Sequence, residues 1–158
     1  MGGKPRILIV DDEPDVLLTL RLLLEGEGFE PSLAAEGETA LRRIDEESPD
    51  LVLLDIMMPV LDGWMVLAQL AERPRRPRVV VCSAKTSELD MSRARELGAA
   101  AYVTKPFDPA ELVETLRGVL AGNVGPAPAS DPAPSSSAPG SRRPGVGYDS
   151  SADVSSRA

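Results

Sequence analysis

The sequence predicts a doubly wound α/β fold built on a five-stranded parallel sheet. Five short apolar runs alternate with helix-period segments over residues 6–121, which is the pattern of a parallel sheet with helices on both faces. The first, third and fourth runs are wholly apolar, as strands covered on both faces should be. Four of the five runs end in side chains that can do chemistry, which indicates a functional site at one edge of the sheet.

Each strand is predicted from the composition of its apolar run. Glu30 and Ser32 weaken the second run, and Ala100 and Ala101 weaken the fifth, so these two strands suit the edges of the sheet. The order 2-1-3-4-5 places them there, and right-handed crossovers then place helices on both faces. The five predicted strands cover residues 7–10, 29–35, 51–54, 79–82 and 100–103.

Each helix is predicted from the helical spacing of its apolar side chains and from residues that start or stop helices. Pro14 and Pro109 suit first helical turns, Asp62 and Asp108 suit N-caps, and Gly98 suits a stop. The five predicted helices cover residues 13–26, 37–47, 63–72, 86–97 and 109–121.

Composition limits the chemistry of the 158-residue chain. It contains no histidine and one cysteine, Cys82, which excludes Ser-His-Asp and Cys-His catalysis, histidine metal sites and a disulfide framework. Residues 1–122 carry 14 Lys/Arg and 22 Asp/Glu, and such an acidic domain is not expected to bind nucleic acid directly. No secretory signal or membrane-spanning run is evident, so we expect no membrane insertion and a cytoplasmic location.

The composition changes sharply near Gly122. Residues 1–122 are predicted to form one domain, whereas Pro, Ser, Gly and Ala dominate residues 123–158. A segment with so few large apolar side chains cannot offset its ordering entropy, so a disordered C-terminal tail is expected. Within the domain, the basic run between the third helix and the fourth strand is interpreted as a solvated loop. Its arginines are Arg73, Arg75, Arg76 and Arg78.

Polar side chains follow four of the predicted strands. Asp11 and Asp12 follow the first strand, Asp55 the third, Ser83 the fourth and Lys105 the fifth. In this order the winding direction reverses between strands one and three, and ligands bind outside the carboxyl ends of the strands at such a point. Three carboxylates there repel one another, by about 4 kcal/mol per pair at about 4 Å and an effective dielectric near 20. The sequence therefore predicts a bound cation, and oxygen ligands of this kind suit magnesium.

The same cluster can handle a phosphoryl group. A carboxylate can act as the nucleophile and form an aspartyl phosphate, provided that charge on the phosphoryl oxygens is neutralised. Lys105 is the expected source of positive charge, with Lys85 a weaker rival, and Ser83 can hydrogen-bond a phosphoryl oxygen.

Four segments together resemble the response-regulator receiver domain of two-component signalling. Each segment alone is a weak signal, but four in the right order at the spacing of one domain are specific, and the resemblance covers about residues 5–121. The segments are VDDE at residues 10–13, LLDIMMP at residues 53–59 with DG at 62–63, CSA at 82–84 and YVTKPF at 102–107.

The resemblance implies a flavodoxin-like fold and a role for each pocket residue. Asp55 would accept a phosphoryl group from a sensor histidine kinase or a phosphotransfer protein, and the Lys105–Pro106 peptide bond would be cis. The protein would be a signalling component and not a conventional enzyme, although it would promote its own phosphotransfer. The implied magnesium ligands are Asp11, Asp12, Asp55 and the backbone carbonyl of Met57. The implied phosphoryl-binding residues are Ser83 and Lys105, and the implied switch residues are Ser83 and Tyr102.

Three departures from the family pattern shape the functional expectation. Met57 stands where the family often has a polar residue beside the path of the hydrolytic water, which predicts slow dephosphorylation. Ala100 and Ala101 replace acids that form dimer salt bridges in many DNA-binding members, so a monomer or weak dimer is expected. No output domain follows, so output is expected through contact with a downstream protein. The alternatives are a receiver-like interaction module that works without phosphorylation and, more weakly, a magnesium-dependent phosphohydrolase.

Overall fold

A computed structural model of the chain describes residues 3–122. The predicted disordered tail, residues 123–158, lies outside the described residues. The predicted α/β fold is confirmed, with five parallel strands in the order β2-β1-β3-β4-β5. The strands are β1 (Arg6–Val10), β2 (Glu30–Ala34), β3 (Leu51–Leu54), β4 (Arg78–Ser83) and β5 (Ala101–Thr104). The helices are α1 (Pro14–Gly26), α2 (Gly37–Glu47), α3 (Gly63–Ala71), α4 (Glu88–Glu96) and α5 (Pro109–Leu120).

Side-chain caps fix where three helices begin. The Asp62 carboxylate accepts a hydrogen bond from the Met65 N–H at 3.0 Å, and this N-cap was expected for α3. The expected Asp108 cap also forms at the start of α5. Helix α4 begins at Glu88, two residues later than predicted, because the Ser87 hydroxyl accepts from the Asp90 N–H at 3.0 Å and acts as the cap.

Two apolar layers cover the two faces of the sheet. Side chains alternate along each strand, so in β1 Leu8 and Val10 face one layer while Ile7 and Ile9 face the other, and all four are at most 1% exposed. Helices α2, α3 and α4 pack in the first layer, and α1 and α5 pack in the second. This two-sided burial is the reason why the central strands read as continuous apolar runs. Cys82 lies in the second layer, where burial raises the pKa of its thiol to about 12.

The register of the sheet brings the strand ends together. Val10 at the end of β1 pairs with Leu54 at the end of β3, so the residues that follow them emerge side by side. The Asp55 N–H donates to the Val10 carbonyl at 2.9 Å, and the Lys105 N–H donates to the Ser83 carbonyl at 2.8 Å. These bonds extend the ladder by one residue beyond the strands and fix the backbone directions of the polar residues.

The Lys105–Pro106 peptide bond, which follows β5, is cis, as predicted. Among residues 3–122, none of the helices is both long enough and apolar enough to cross a bilayer.

Candidate functional site

Three carboxylates form the centre of the site at the carboxyl edge of the sheet. Asp11, Asp12 and Asp55 each place a carboxylate oxygen within 4.8 Å of the others. Asp11 and Asp55 are only 2% and 6% exposed, whereas Asp12 is exposed, so the cluster is walled by protein and open on one side. The structure therefore brings together the three acids that the sequence placed at the ends of β1 and β3.

Lys105 supplies the positive charge that faces the acids. Its ammonium Nζ lies 2.7 Å from Asp11 Oδ2 and 3.7 Å from Asp55 Oδ1. Burial lowers the pKa of Lys105, but the hydrogen bond to Asp11 and the charge of Asp55 outweigh burial, so its pKa is raised overall. Within residues 3–122, the lysine that pairs with these acids is Lys105 and not its rival Lys85.

The surroundings of Asp55 shift the pKa of its carboxyl group. Burial and the neighbouring charge of Asp11 raise its pKa to about 6, against the opposing effect of Lys105. Its Oδ1 accepts a hydrogen bond of 3.3 Å from the Met57 N–H, which holds the carboxylate against the loop that follows β3. One ammonium facing three carboxylates leaves the cluster short of positive charge, and a divalent cation among oxygen ligands compensates such a deficit. The donor set of this chain thus fits magnesium.

Local hydrogen bonds and close packing hold the acids in place. Asp11 Oδ1 accepts from the Glu13 N–H at 2.9 Å, which turns the chain from β1 into α1. Gly63, at the start of α3, packs directly on the β3–α3 loop, because a Cβ built there would lie 2.4 Å from the Asp55 carbonyl oxygen. The Asp-Gly pair at residues 62–63 therefore combines a helix cap with a close backbone approach behind Asp55.

A hydrogen-bonded chain links two further residues of the site. Ser83 is fully buried, and its hydroxyl accepts from the Lys85 N–H at 3.1 Å. The half-buried Tyr102 donates its hydroxyl proton to the Lys85 carbonyl at 2.8 Å. The backbone of Lys85 thereby connects Ser83 to Tyr102, and burial raises the pKa of the Tyr102 phenol.

Sequence reasoning missed the backbone of Val60, five residues after Asp55. Val60 has a φ of 67° and a side chain that is 98% exposed, on the same loop as the 54% exposed Met57. A β-branched residue in the left-handed region is strained, because its side chain crowds the following carbonyl. The sequence carries no signal for this conformation, since valine rarely adopts it.

The fold and the acidic site together are those of a receiver domain. The family model described as the response regulator receiver domain matches residues 7–117, and the chain belongs to that family. The expectation of a receiver domain from the four sequence segments is therefore confirmed.

Similar curated proteins include transcriptional regulatory proteins. The chain is 38% identical over 126 residues to the alkaline phosphatase synthesis transcriptional regulatory protein PhoP of Bacillus subtilis, a match that covers 80% of this chain and 52% of PhoP. It is 44% identical over 118 residues to the transcriptional regulatory protein PrrA of Mycobacterium leprae, covering 75% of this chain and 51% of PrrA. The chain thus spans about half the length of these curated relatives.

Solved structures that are similar to this chain include a receiver domain protein and a CheY complex. The CheX–CheY–BeF3–Mg complex from Borrelia burgdorferi contains a chain that matches with a TM-score of 0.72 and 31% identity, over 75% of this chain and 90% of that one. A CheY-like receiver domain protein from Methanospirillum hungatei matches with a TM-score of 0.72 and 30% identity, over 77% of this chain and 97% of that one.

Proposed function

We propose that this protein accepts a phosphoryl group on Asp55 from the phosphohistidine of a sensor histidine kinase or a phosphotransfer protein. The observation that carries the proposal is the arrangement of Lys105, whose ammonium lies within 4 Å of both Asp11 and Asp55 at the edge of the sheet. Residues 1–158 contain no histidine, so the donor phosphohistidine lies outside them.

The transfer is a displacement at phosphorus. A carboxylate oxygen of Asp55 forms the new P–O bond, the P–N bond of the donor breaks, and its electron pair returns to the donor imidazole. Negative charge on the phosphoryl oxygens must be neutralised during this step, and Lys105 faces the position where that charge arrives. The Ser83 hydroxyl is the proposed hydrogen-bond donor for a phosphoryl oxygen.

Magnesium is the expected cofactor. Asp11, Asp12, Asp55 and the backbone carbonyl of Met57 are the proposed ligands, and the bound ion would neutralise charge on the carboxylates and on the phosphoryl oxygens. Lys105 and the cation act on the same acids. For this reason we expect cation binding at Asp11 to weaken the 2.7 Å contact with Lys105 and to leave its ammonium available for the phosphoryl group.

The signal would pass through the chain of hydrogen bonds around Lys85. When Ser83 turns its hydroxyl toward the phosphoryl group, the Lys85 N–H loses its acceptor, and the Lys85 carbonyl that holds Tyr102 is free to move. Tyr102 then changes position on the surface near α4. A downstream protein that binds one of the two Tyr102 positions more tightly would sense phosphorylation.

Acetyl phosphate tests the proposal without the cognate kinase. In the presence of Mg²⁺ we expect the intact mass of the protein to increase by one phosphoryl group, with no increase for Asp55→Asn and none in EDTA. No gain in mass, or an equal gain for Asp55→Asn, would contradict the proposal and leave the phosphorylation-independent interaction module as the better account. Steady hydrolysis of a generic phosphomonoester would instead indicate a phosphohydrolase and count against signalling.

A further inference from the structure

A cavity that is open to solvent lies at the amino-terminal edge of the sheet, opposite the acidic site. Its volume is about 730 Å³. It is lined by residues that precede β1, β3 and β4, by the first residue of β4, by two residues of α2 and by the last residue of α5. Cavities that bind small molecules have volumes of roughly 300–1,000 Å³. The cavity is thus large enough for a ligand of nucleotide size, and neither the acidic triad nor the switch residues line it.

This cavity is lined by several arginines, whereas the surrounding domain is acidic. Arg75, Arg76 and Arg78 line it, and none of the three forms an ion pair with any residue in the 3–122 range. The cavity also contains two acids, but each already has a partner. Asp45 pairs with the Arg73 guanidinium, and the Asp50 carboxylate accepts from the Arg6 N–H at 2.8 Å. The cavity therefore has three guanidinium groups without a carboxylate partner.

Backbone carbonyls position two of these guanidinium groups. Arg78 Nη1 donates to the Leu120 carbonyl at 2.9 Å, and Arg76 Nη1 donates to the Ala71 carbonyl at 3.4 Å. The carbonyls lie at the C-terminal ends of α5 and α3, where arginine is favourable on its own account. Each contact uses one of the five N–H donors of a guanidinium, so the other donors remain for a ligand.

Stabilisation of a helix end does not explain why an arginine stands at residue 75. It is exposed, and in the part of the chain that the structure describes it forms neither a hydrogen bond nor an ion pair. It lies beside two arginines whose positions are held by backbone contacts, in a cavity walled by Pro49 and Pro77. Proline rings restrict the backbone and present rigid apolar surface, which can contact the organic part of a ligand.

We propose that this cavity binds a phosphorylated small molecule whose phosphate oxygens are held by Arg75, Arg76 and Arg78. The planar fork of a guanidinium donates two parallel N–H bonds to phosphate, which is the reason for choosing a phosphate over a simple halide. The proposed ligand carries a diphosphate group, which is either free pyrophosphate or the diphosphate of a nucleotide. The proposal does not depend on the proposed function of Asp55.

Calorimetric titration of the full chain with pyrophosphate and, separately, with ADP tests this site. EDTA keeps the buffer free of magnesium, so that no metal-bridged phosphate forms at the acids. We expect saturable binding of pyrophosphate that weakens with added salt and that is about tenfold weaker for Arg75→Ala. Tighter binding of ADP than of pyrophosphate would identify a nucleotide ligand, and equal binding would identify the diphosphate alone.

Arg95→Ala is the matched control, because Arg95 is an exposed arginine on α4 outside the cavity. We expect it to bind pyrophosphate like the unchanged protein. Since Arg75 forms no hydrogen bond within residues 3–122, Arg75→Ala should unfold at the same temperature as the unchanged protein. Absence of saturable binding of both probes, or equal affinity for Arg75→Ala and the unchanged protein, would overturn the proposal and leave these arginines with a structural role only.

Discussion

The ammonium of Lys105 lies closer to the carboxylate of Asp11 than to that of Asp55. Its Nζ is 2.7 Å from Asp11 Oδ2 but 3.7 Å from Asp55 Oδ1, although both acids are almost completely buried. A single ammonium is thus shared unequally between the acid after β1 and the acid after β3. Burial and the charge of Asp11 raise the pKa of Asp55 to about 6, and Lys105, 3.7 Å from its carboxylate, offsets this rise only in part.

Replacing Lys105 with methionine should destabilise the protein at neutral pH. The substitution keeps most of the apolar stem but removes the ammonium that pairs with the buried Asp11 carboxylate, which costs about 1–3 kcal/mol of unfolding free energy. Urea denaturation at pH 7 in EDTA measures the loss. Lys85→Met, a change of the same size outside the acidic cluster, should cost less than about 0.5 kcal/mol. Equal losses for both variants would show that the ammonium of Lys105 does not stabilise the cluster.

Replacing Asp55 with asparagine should stabilise the magnesium-free protein above pH 6. The folded state raises the pKa of Asp55 from 3.8 to about 6, so the folded protein binds the proton more tightly than the unfolded chain does. Its stability therefore falls as pH rises from about 4 to 6, and the whole penalty is present above pH 6. Removing the carboxylate should recover roughly 1–3 kcal/mol of unfolding free energy. The range extends to its lower values because contact with solvent weakens the effect of the charge.

Thermal unfolding of Asp55→Asn and the unchanged protein between pH 4 and pH 8 measures this effect. The difference should shrink toward pH 4, where Asp55 is protonated in the folded protein and about half protonated in the unfolded chain. Added Mg²⁺ should stabilise the unchanged protein more than Asp55→Asn, because ligand binding to the folded state raises stability by mass action. A stabilisation by Asp55→Asn that does not change with pH would show that charge is not its cause.

Gly63→Ala should be strongly destabilising. A Cβ at residue 63 would lie 2.4 Å from the Asp55 carbonyl oxygen and 2.6 Å from the Ile56 Cα, and both atoms belong to backbone that cannot move without displacing the loop after β3. We expect a loss of about 2 kcal/mol or more in urea denaturation. Gly26→Ala is the control, because no atom lies within 4 Å of a Cβ there and alanine favours the helix. A loss below about 0.5 kcal/mol for Gly63→Ala would contradict the close approach.

Sequence alone sufficed for the strand order and for the meeting of Asp11, Asp12 and Asp55 at one edge of the sheet, and the reasons are physical. A strand covered on both faces has to be apolar throughout, so β1, β3 and β4 could be separated from the edge strands β2 and β5. Parallel strands end at one edge, so Asp11 and Asp55 had to emerge together. Both conclusions depend only on backbone topology and on the alternation of side chains, which sequence patterns encode directly.

Side-chain distances and loop conformations could be learned only from the structure. The preference of Lys105 for Asp11 depends on how a four-carbon chain packs, which residue spacing does not specify. The arginines at residues 75–78 were interpreted as a solvated loop, because sequence spacing does not show that they line an open cavity together with helix ends and prolines. The positive φ of Val60 was equally invisible, since valine is rarely found in that conformation.

Val60→Gly should stabilise the fold. A valine with a φ of 67° is strained by about 1–2 kcal/mol, and glycine removes the strain at an entropic cost of roughly 0.5–1 kcal/mol. The expected net gain in unfolding free energy is about 0.5–1 kcal/mol. Because the side chain is 98% exposed, no buried contact is lost. Val60→Ala retains a Cβ and serves as the control, with a smaller gain. Destabilisation by Val60→Gly would show that the loop needs the valine side chain.

Met57 should slow the loss of the phosphoryl group. Its side chain is 54% exposed on the loop after Asp55, and an apolar group there hinders the approach and orientation of a hydrolytic water. We therefore expect Met57→Asn to release phosphate from the phosphorylated protein faster, by about tenfold or less, because a polar side chain can hold the water by a hydrogen bond. Release of inorganic phosphate after removal of acetyl phosphate measures the rate. Met57→Leu keeps an apolar side chain of similar size and should leave the rate unchanged. If both variants lose phosphate at the rate of the unchanged protein, residue 57 does not control access of water to Asp55.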